Sequence, residues 1–204
     1  MITVRKMVTF KCKMNGRCCT RYWIPITHLD ALRLVIYGNI NIYNAVELKN
    51  AKIYKSTKFP PVKIRRNYYY LSLREVEGTS TCIFLSPDGR CLVHEYKPLT
   101  CRFYPFVYTV HRDGSISISV NEKAIGECPG LVLDGKPIDE EIVKRLVRLA
   151  KVRLLEIKLY KEVVHEWNSE LNNIFAKARN FIDFMLEEAR KHKKMLESRG
   201  LWVK

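Results

Sequence analysis

Apolar positions fall into two textures along the chain. From Pro137 onward they recur at helical spacing, at Ile142, Leu146, Leu149, Val152, Leu155, Leu159 and Val163. The stripe weakens at Asn168-Ser169 and Asn172-Asn173. It resumes with Ile174, Phe175, Ala178, Phe181, Ile182, Met185, Leu186 and Ala189. This predicts two long helices with a turn near 168–173, one bent helix being the alternative. Pro137 suits a helix start, and Asp139, Glu140 and Glu141 suit its positive end. Such stripes read as core and helix packing rather than as a cofactor box.

Upstream the periods are short and interrupted. Residues 1–26 read as irregular, with a short strand over Thr3–Phe10. Residues 27–37 read as a helix, with Thr27 as N-cap, Asp30 at the capping-box position and Gly38 as its stop. A second short helix is predicted over Tyr43–Tyr54, and Pro60-Pro61 breaks the chain. Residues 67–76, NYYYLSLREV, alternate and predict a strand. Residues 80–106 carry turn signals and predict loop. Residues 106–120 predict a hairpin around Asp113-Gly114. The fold class is therefore α+β: a small irregular cysteine-rich core with a β-hairpin (residues 1–136), packed with long C-terminal α-helices (residues 137–204).

Charge sharpens this division. The formal net charge is +15, yet residues 139–204 carry 15 basic and 11 acidic side chains, so most of the excess lies with the cysteines. Lys and Arg near thiols lower their pKa and offset the charge of a thiolate-bound metal. A basic surface also suits nucleic acid or an acidic partner, although no RNA-binding motif is present, and solubility alone is the plainer reading. The N-terminus lacks an apolar run long enough for a signal peptide, and no stretch is long enough to span a membrane. The expected location is the cytoplasm, where thiols stay reduced.

The chemistry-bearing residues are seven cysteines: Cys12, Cys18, Cys19, Cys82, Cys91, Cys101 and Cys128. An odd count rules out complete intramolecular pairing. Vicinal Cys18 and Cys19 rarely bridge each other, because the small ring strains the peptide bond. They point instead to different atoms of a cluster or to different sites. Gly16 permits a tight turn before them, and Pro98 and Pro105 stiffen the loop around Cys101. A lone buried cysteine reads as inert packing; seven among Gly and Pro read as metal ligands. An iron–sulfur cluster, of 4Fe–4S type, is the first reading and zinc the second. No C-x₂-C pair, C-x₃-C-x₂-C run, GxGxxG, Walker A or HExxH is present.

The spaced pieces resemble the CxxCxxCC family of zinc- or iron-chelating proteins (YkgJ type). They comprise Phe10, Cys12, Asn15, Gly16, Cys18 and Cys19, then Cys82, Phe84, Leu85, Gly89, Cys91, Pro98, Cys101, Arg102, Tyr104 and Pro105, then Cys128-Pro129-Gly130. The likeness covers residues 8–130, and the C-terminal helices lie outside it. His94 stands where the family often has Tyr, and Lys97 where it has Arg. Asn15 replaces the family's second cysteine and is a poor ligand beside thiolates. If the family's eight cysteines serve two sites, one site here lacks a ligand. His94, water or a substrate completes it, or it stays empty, and the sequence leaves these open.

The resemblance extends to the cysteine domain of flagellin lysine-N-methylase. It therefore implies, as an alternative, a protein methyltransferase using S-adenosylmethionine (SAM), with an unknown protein substrate or redox partner. No glycine-rich SAM loop accompanies it. Arg102, directly after Cys101, is the candidate for neutralising cluster charge or binding an anionic cofactor, against a structural ion pair. His94 could complete a Cys₃His set, or be an ordinary surface histidine. His28 is expected to be solvated, and His111, His165 and His192 are given no role. Trp23, Trp167 and Trp202 read as packing residues. Tyr68, Tyr69 and Tyr70 read as a half-buried strand rather than a base-stacking platform.

Overall fold

The computed structural model describes residues 8–170 and 176–204. The strands are β1 (Thr9–Phe10), β2 (Val46–Asn50), β3 (Val62–Ile64), β4 (Asn67–Leu73), β5 (Phe106–Val110), β6 (Ile116–Val120) and β7 (Leu131–Val132). The helices are α1 (Arg17–Arg21), α2 (His28–Gly38), α3 (Ile42–Ala45), α4 (Leu99–Phe103), α5 (Glu140–Glu170) and α6 (Ala178–Ser198). The fold is α+β, with small antiparallel sheets and two long C-terminal helices. β4 is the centre of a three-stranded sheet, ordered β2-β4-β3. β5 and β6 form the hairpin, and β1 pairs with β7.

Local chemistry accounts for most boundaries. Thr27 Oγ1 accepts from the Asp30 N–H, and Asp30 accepts in return from the Thr27 N–H, so the capping box of α2 is complete. Asn39, not Gly38, ends that helix, in left-handed conformation with φ 49°. The helix expected over Tyr43–Tyr54 shortens to α3, and Val46–Asn50 is strand instead. The VELKN segment alternates, and pairing Leu48 with Leu71 on β4 outweighs its helix propensity. β4 ends at Leu73, short of the expected residue 76. Within the predicted loop 80–106, α4 forms around Cys101.

The expected strand over Thr3–Phe10 lies mostly outside the described residues; its described end is β1. The turn expected near 168–173 also falls partly outside them. Asn168 itself is helical. Its Oδ1 accepts from the Lys63 N–H at 2.8 Å and its Nδ2 donates to the Pro61 carbonyl at 3.1 Å, tying α5 to β3. The polar residue read as a break is thus an anchor to the sheet.

Two apolar cores result. The larger joins α2, the β2-β4-β3 sheet, the second half of α5 and α6, with Leu29, Leu32, Leu71, Tyr160, Val163, Phe181 and Met185 buried. The smaller joins Val8, Phe103, Phe106 and Val120 with Leu146 and Ala150 of α5. With 31 residues, α5 is about 46 Å long and reaches both cores. His28 is fully buried in the larger core rather than solvated. Its ring stacks on Tyr160 at 5.7 Å, and its Nε2 lies 2.8 Å from His192 Nδ1 on α6.

Charged groups are buried where the two long elements cross. Arg33 of α2 pairs bidentately with Glu156 of α5, contacts Asp30 at 3.2 Å, and donates from Nε to the Val203 carbonyl at 2.7 Å. The Arg33 guanidinium also lies 4.5 Å from the centre of the Trp202 ring. Burial alone would lower the Arg33 pKa, but Glu156 and Asp30 outweigh it and hold it above its ordinary value.

Candidate metal centre

Glycine and backbone hydrogen bonds set the thiols. Gly16 has φ 67° and opens α1, which carries Cys18 and Cys19. A methyl group there would stand 2.2 Å from Leu85 Cδ1 and 2.7 Å from the Gly89 carbonyl oxygen. The turn at Gly16 therefore seats α1 directly on the Ser86–Arg90 turn. The Cys82 N–H donates to the Cys19 carbonyl at 2.7 Å, and Leu85 bridges Cys91 across that turn. Cys101 lies on α4. The Leu99 N–H of that helix donates to Asp30 Oδ1 at 2.9 Å, and Thr100 Oγ1 donates to the Pro25 carbonyl at 2.8 Å. Gly130 approaches Lys11 so closely that a methyl would lie 2.2 Å from the Lys11 carbonyl oxygen. The Lys11 N–H donates to the Gly130 carbonyl at 2.9 Å. Cys12 and Cys128 are brought to one edge by this contact and the β1–β7 pair.

All seven cysteines line one cavity of about 310 Å³. All are free thiols; Cys82 is buried, Cys12 is exposed, and the rest are half-buried. Cys18 Sγ and Cys19 Sγ are 4.0 Å apart. Two thiolates on one tetrahedral ion with metal–sulfur bonds of about 2.3 Å stand about 3.8 Å apart. Among the described residues, no three His, Cys, Asp or Glu side chains already stand as a ready coordination sphere. The thiols ring a common space, and metal capture requires them to turn inward.

Electrostatics divide the thiols. Cys18 and Cys19 share a sulfur–sulfur hydrogen bond in which either thiol could donate. Interaction with the Cys19 thiol lowers Cys91 to about 6 and Cys18 to about 7, against burial, with Lys97 lowering both further. Cys19 is raised by the same two neighbours and by burial. Burial pushes Cys82 up to about 11 and Cys101 well above the usual thiol value. Cys18, Cys19, Cys82, Cys91 and Cys101 influence one another and form the inner group. Cys128 is raised by burial and, more weakly, by Cys12 and Cys18; Cys12 is the exposed thiol of the set. Two thiols that ionise near neutral pH, a cation beside them and a sulfur-rich donor set fit a thiophilic metal.

The remaining predicted positions line up as follows. Asn15 lines the cavity, its carboxamide oxygen 3.5 Å from the Arg17 backbone nitrogen. His94 lines the cavity, and burial lowers its pKa with Lys97 adding to the effect. Arg102 donates from Nε to the Lys97 carbonyl at 2.8 Å and from Nη2 to the Lys204 carbonyl. These bonds turn its guanidinium toward backbone oxygens, and Lys97 is the cation acting on the thiols. Sequence reading passed over Arg153, Lys58 and Tyr108, which also line the cavity. The available signal was Arg153 itself, a charge interrupting the buried face of α5 between Ala150 and Ile157.

A fold of small antiparallel sheets and long helices, built around a thiol-lined cavity, defines a cysteine-cluster domain. The family described as "CxxCxxCC: Putative zinc- or iron-chelating domain" matches residues 11–129, and the chain belongs to it. No curated protein and no solved structure matches the chain. No described helix is long and apolar enough to cross a membrane.

Proposed function

We propose that the chain is an iron–sulfur protein whose cluster is held by the inner thiols: Cys82, Cys91 and Cys101, with Cys18 or Cys19. One observation carries this reading: thiols from across residues 12–128 converge on one cavity. A single structural zinc ion sits in a closed sphere of four ligands and needs no such space. Zinc is the second reading, favoured by the 4.0 Å spacing of Cys18 and Cys19.

When bound, such a cluster supplies one-electron transfer. The chain's own residues do the rest. Lys97 offsets thiolate charge. Cys18 and Cys91, the thiols of lowest pKa, are ready to ligate at neutral pH. Trp23, Phe84 and Tyr104 line the walls and exclude water. Asn15 lines the same cavity, and four or more thiols remain to hold a cluster without it. Lys13 and Arg17 at the rim suit an acidic redox partner.

Anaerobic purification followed by absorption spectroscopy and iron, sulfide and zinc analysis tests the reading. Iron and sulfide in equal amounts, with visible thiolate-to-iron absorption, are expected. C82S, C91S and C101S lose them, and C12S retains them. A colourless protein with stoichiometric zinc selects the second reading. Protein that takes up neither metal on reconstitution defeats both.

A further inference from the structure

The cavity is lined by more than thiols. Arg153 of α5 borders it, between the two apolar cores and only 7% exposed. No carboxylate pairs with it among the ion pairs of the described residues, its Nε is buried without a hydrogen-bond partner, and its guanidinium acts on the neighbouring Tyr108 hydroxyl. Its guanidinium carbon lies 5.4 Å from the Phe103 ring centre and 5.8 Å from that of Phe59. Beside it, Tyr108 Oη is buried with no well-formed hydrogen bond, and Arg153 is, among the described residues, the one polar group that acts on it. Lys58 places its ammonium 4.5 Å over the Tyr108 ring and adds a second cation, its pKa lowered by burial and then by Arg153. Arg33, by contrast, is buried with two carboxylates.

A guanidinium taken out of water needs its donors satisfied. Aromatic faces supply attraction but accept no N–H hydrogen bond in the ring plane. Arg153 and the Tyr108 hydroxyl both border the cavity. An oxyanion entering it would receive the fork of Arg153, the hydroxyl of Tyr108 and the charge of Lys58. Phe103 and Phe106 line the same cavity and suit an apolar body.

We infer that Arg153, Tyr108 and Lys58 form an oxyanion subsite for a small organic acid or phosphate ester with an apolar body, bound in the same cavity as the thiols. The inference does not depend on which metal the thiols hold. It gives the protein a small-molecule ligand, anchored by charge in the cavity that the cysteines also line.

Thermal unfolding and calorimetry of the full chain, titrated with benzoate, phenyl phosphate and inorganic phosphate against chloride of equal ionic strength, test this. Saturable stabilisation by benzoate or phenyl phosphate is expected. The stronger of the two tells carboxylate from phosphate, and weaker binding of inorganic phosphate shows that the apolar body contributes. R153M should weaken binding at least about tenfold, as loss of a bidentate charged contact does. Without anion it should unfold no earlier than wild type, since it removes an unpaired buried cation. Should R153M fail to fold, or unfold well below wild type, Arg153 is a structural cation and the inference fails. Y108F gives a second reading, with weaker anion binding and unaltered unfolding without anion. The idea is also overturned if no anion acts beyond chloride, or if Y108F and R153M bind as wild type does.

Discussion

Replacing Gly16 by Ala separates stability from site assembly. Its φ of 67° costs an L-residue about 1–2 kcal/mol. The added methyl also meets Leu85 Cδ1 at 2.2 Å and the Gly89 carbonyl oxygen at 2.7 Å. Leu85 can rotate away, but the carbonyl belongs to a hydrogen-bonded turn. Overpacking of this kind adds about 1–3 kcal/mol. A central total of about 3 kcal/mol lowers the midpoint by about 6–12 °C for a chain of this size. The cheapest relief moves α1 off the Ser86–Arg90 turn, which carries Cys18 and Cys19 away from Cys82 and Cys91. If that displacement must be reversed to bind metal, affinity falls by about 100-fold.

Gly114 is the internal control. Its φ is 80°, and a methyl there meets nothing within 4 Å. G114A therefore bears the conformational cost alone, about 1–2 kcal/mol, and leaves metal binding intact. The assay is thermal unfolding without metal, paired with metal stoichiometry and competition against a chelator. Equal loss of stability in the two variants, with wild-type metal affinity in both, would refute the argument that Gly16 joins the two thiol-bearing segments.

Two further outcomes follow from buried groups. E156A leaves Arg33 fully buried without its bidentate partner and should cost about 3–5 kcal/mol in urea unfolding, whereas the variant D30N/R33M/E156L, which strands no buried charge, should cost much less; equal losses would show that packing alone matters. Stability should also fall on mild acidification: burial, with smaller contributions from His192 and Arg33, holds the His28 pKa well below 6.5, and burial lowers His192 as well despite Glu162, Glu166 and Glu188 nearby. The unfolded chain then binds more protons, so stability is fully present above about pH 6.5 and declines below it by up to about 1.4 kcal/mol per pH unit for each fully shifted histidine. A profile flat from pH 7 to 5 would contradict the buried pair, and H28Q should flatten it.

What could be read in advance was whatever is encoded locally. The Thr27–Asp30 capping box, the alternation in β4, the Asp113-Gly114 turn and the long stripes of α5 and α6 each lie within a few residues of one another. The cysteines were legible as a set, because Gly and Pro beside them mark unusual backbone. Their meeting on one cavity was not, since it depends on Cys82 bonding to Cys19 and Lys11 to Gly130 across most of the domain. His28 misled for the same reason. A polar residue in a first helical turn reads as exposed, and only α6, arriving from 164 residues away, buries it. VELKN became a strand because β4 was there to receive it.

Asp30 shows how the buried charges and the thiols belong to one design. Its carboxylate closes the capping box of α2, meets Arg33 at 3.2 Å, and accepts from the Leu99 N–H at 2.9 Å. Leu99 begins α4, and Cys101 stands two residues on. A buried ion pair is weak evidence for stability, because desolvation offsets much of its attraction. Its directional hydrogen bonds do what apolar packing cannot: they fix the position of a particular backbone N–H. Arg33 holds Asp30, Glu156 of α5 holds Arg33, and Asp30 holds the start of α4. The long C-terminal helix thus reaches the cysteine cavity twice, through Arg153 on its wall and through this chain of charges behind Cys101, although no cysteine lies on it.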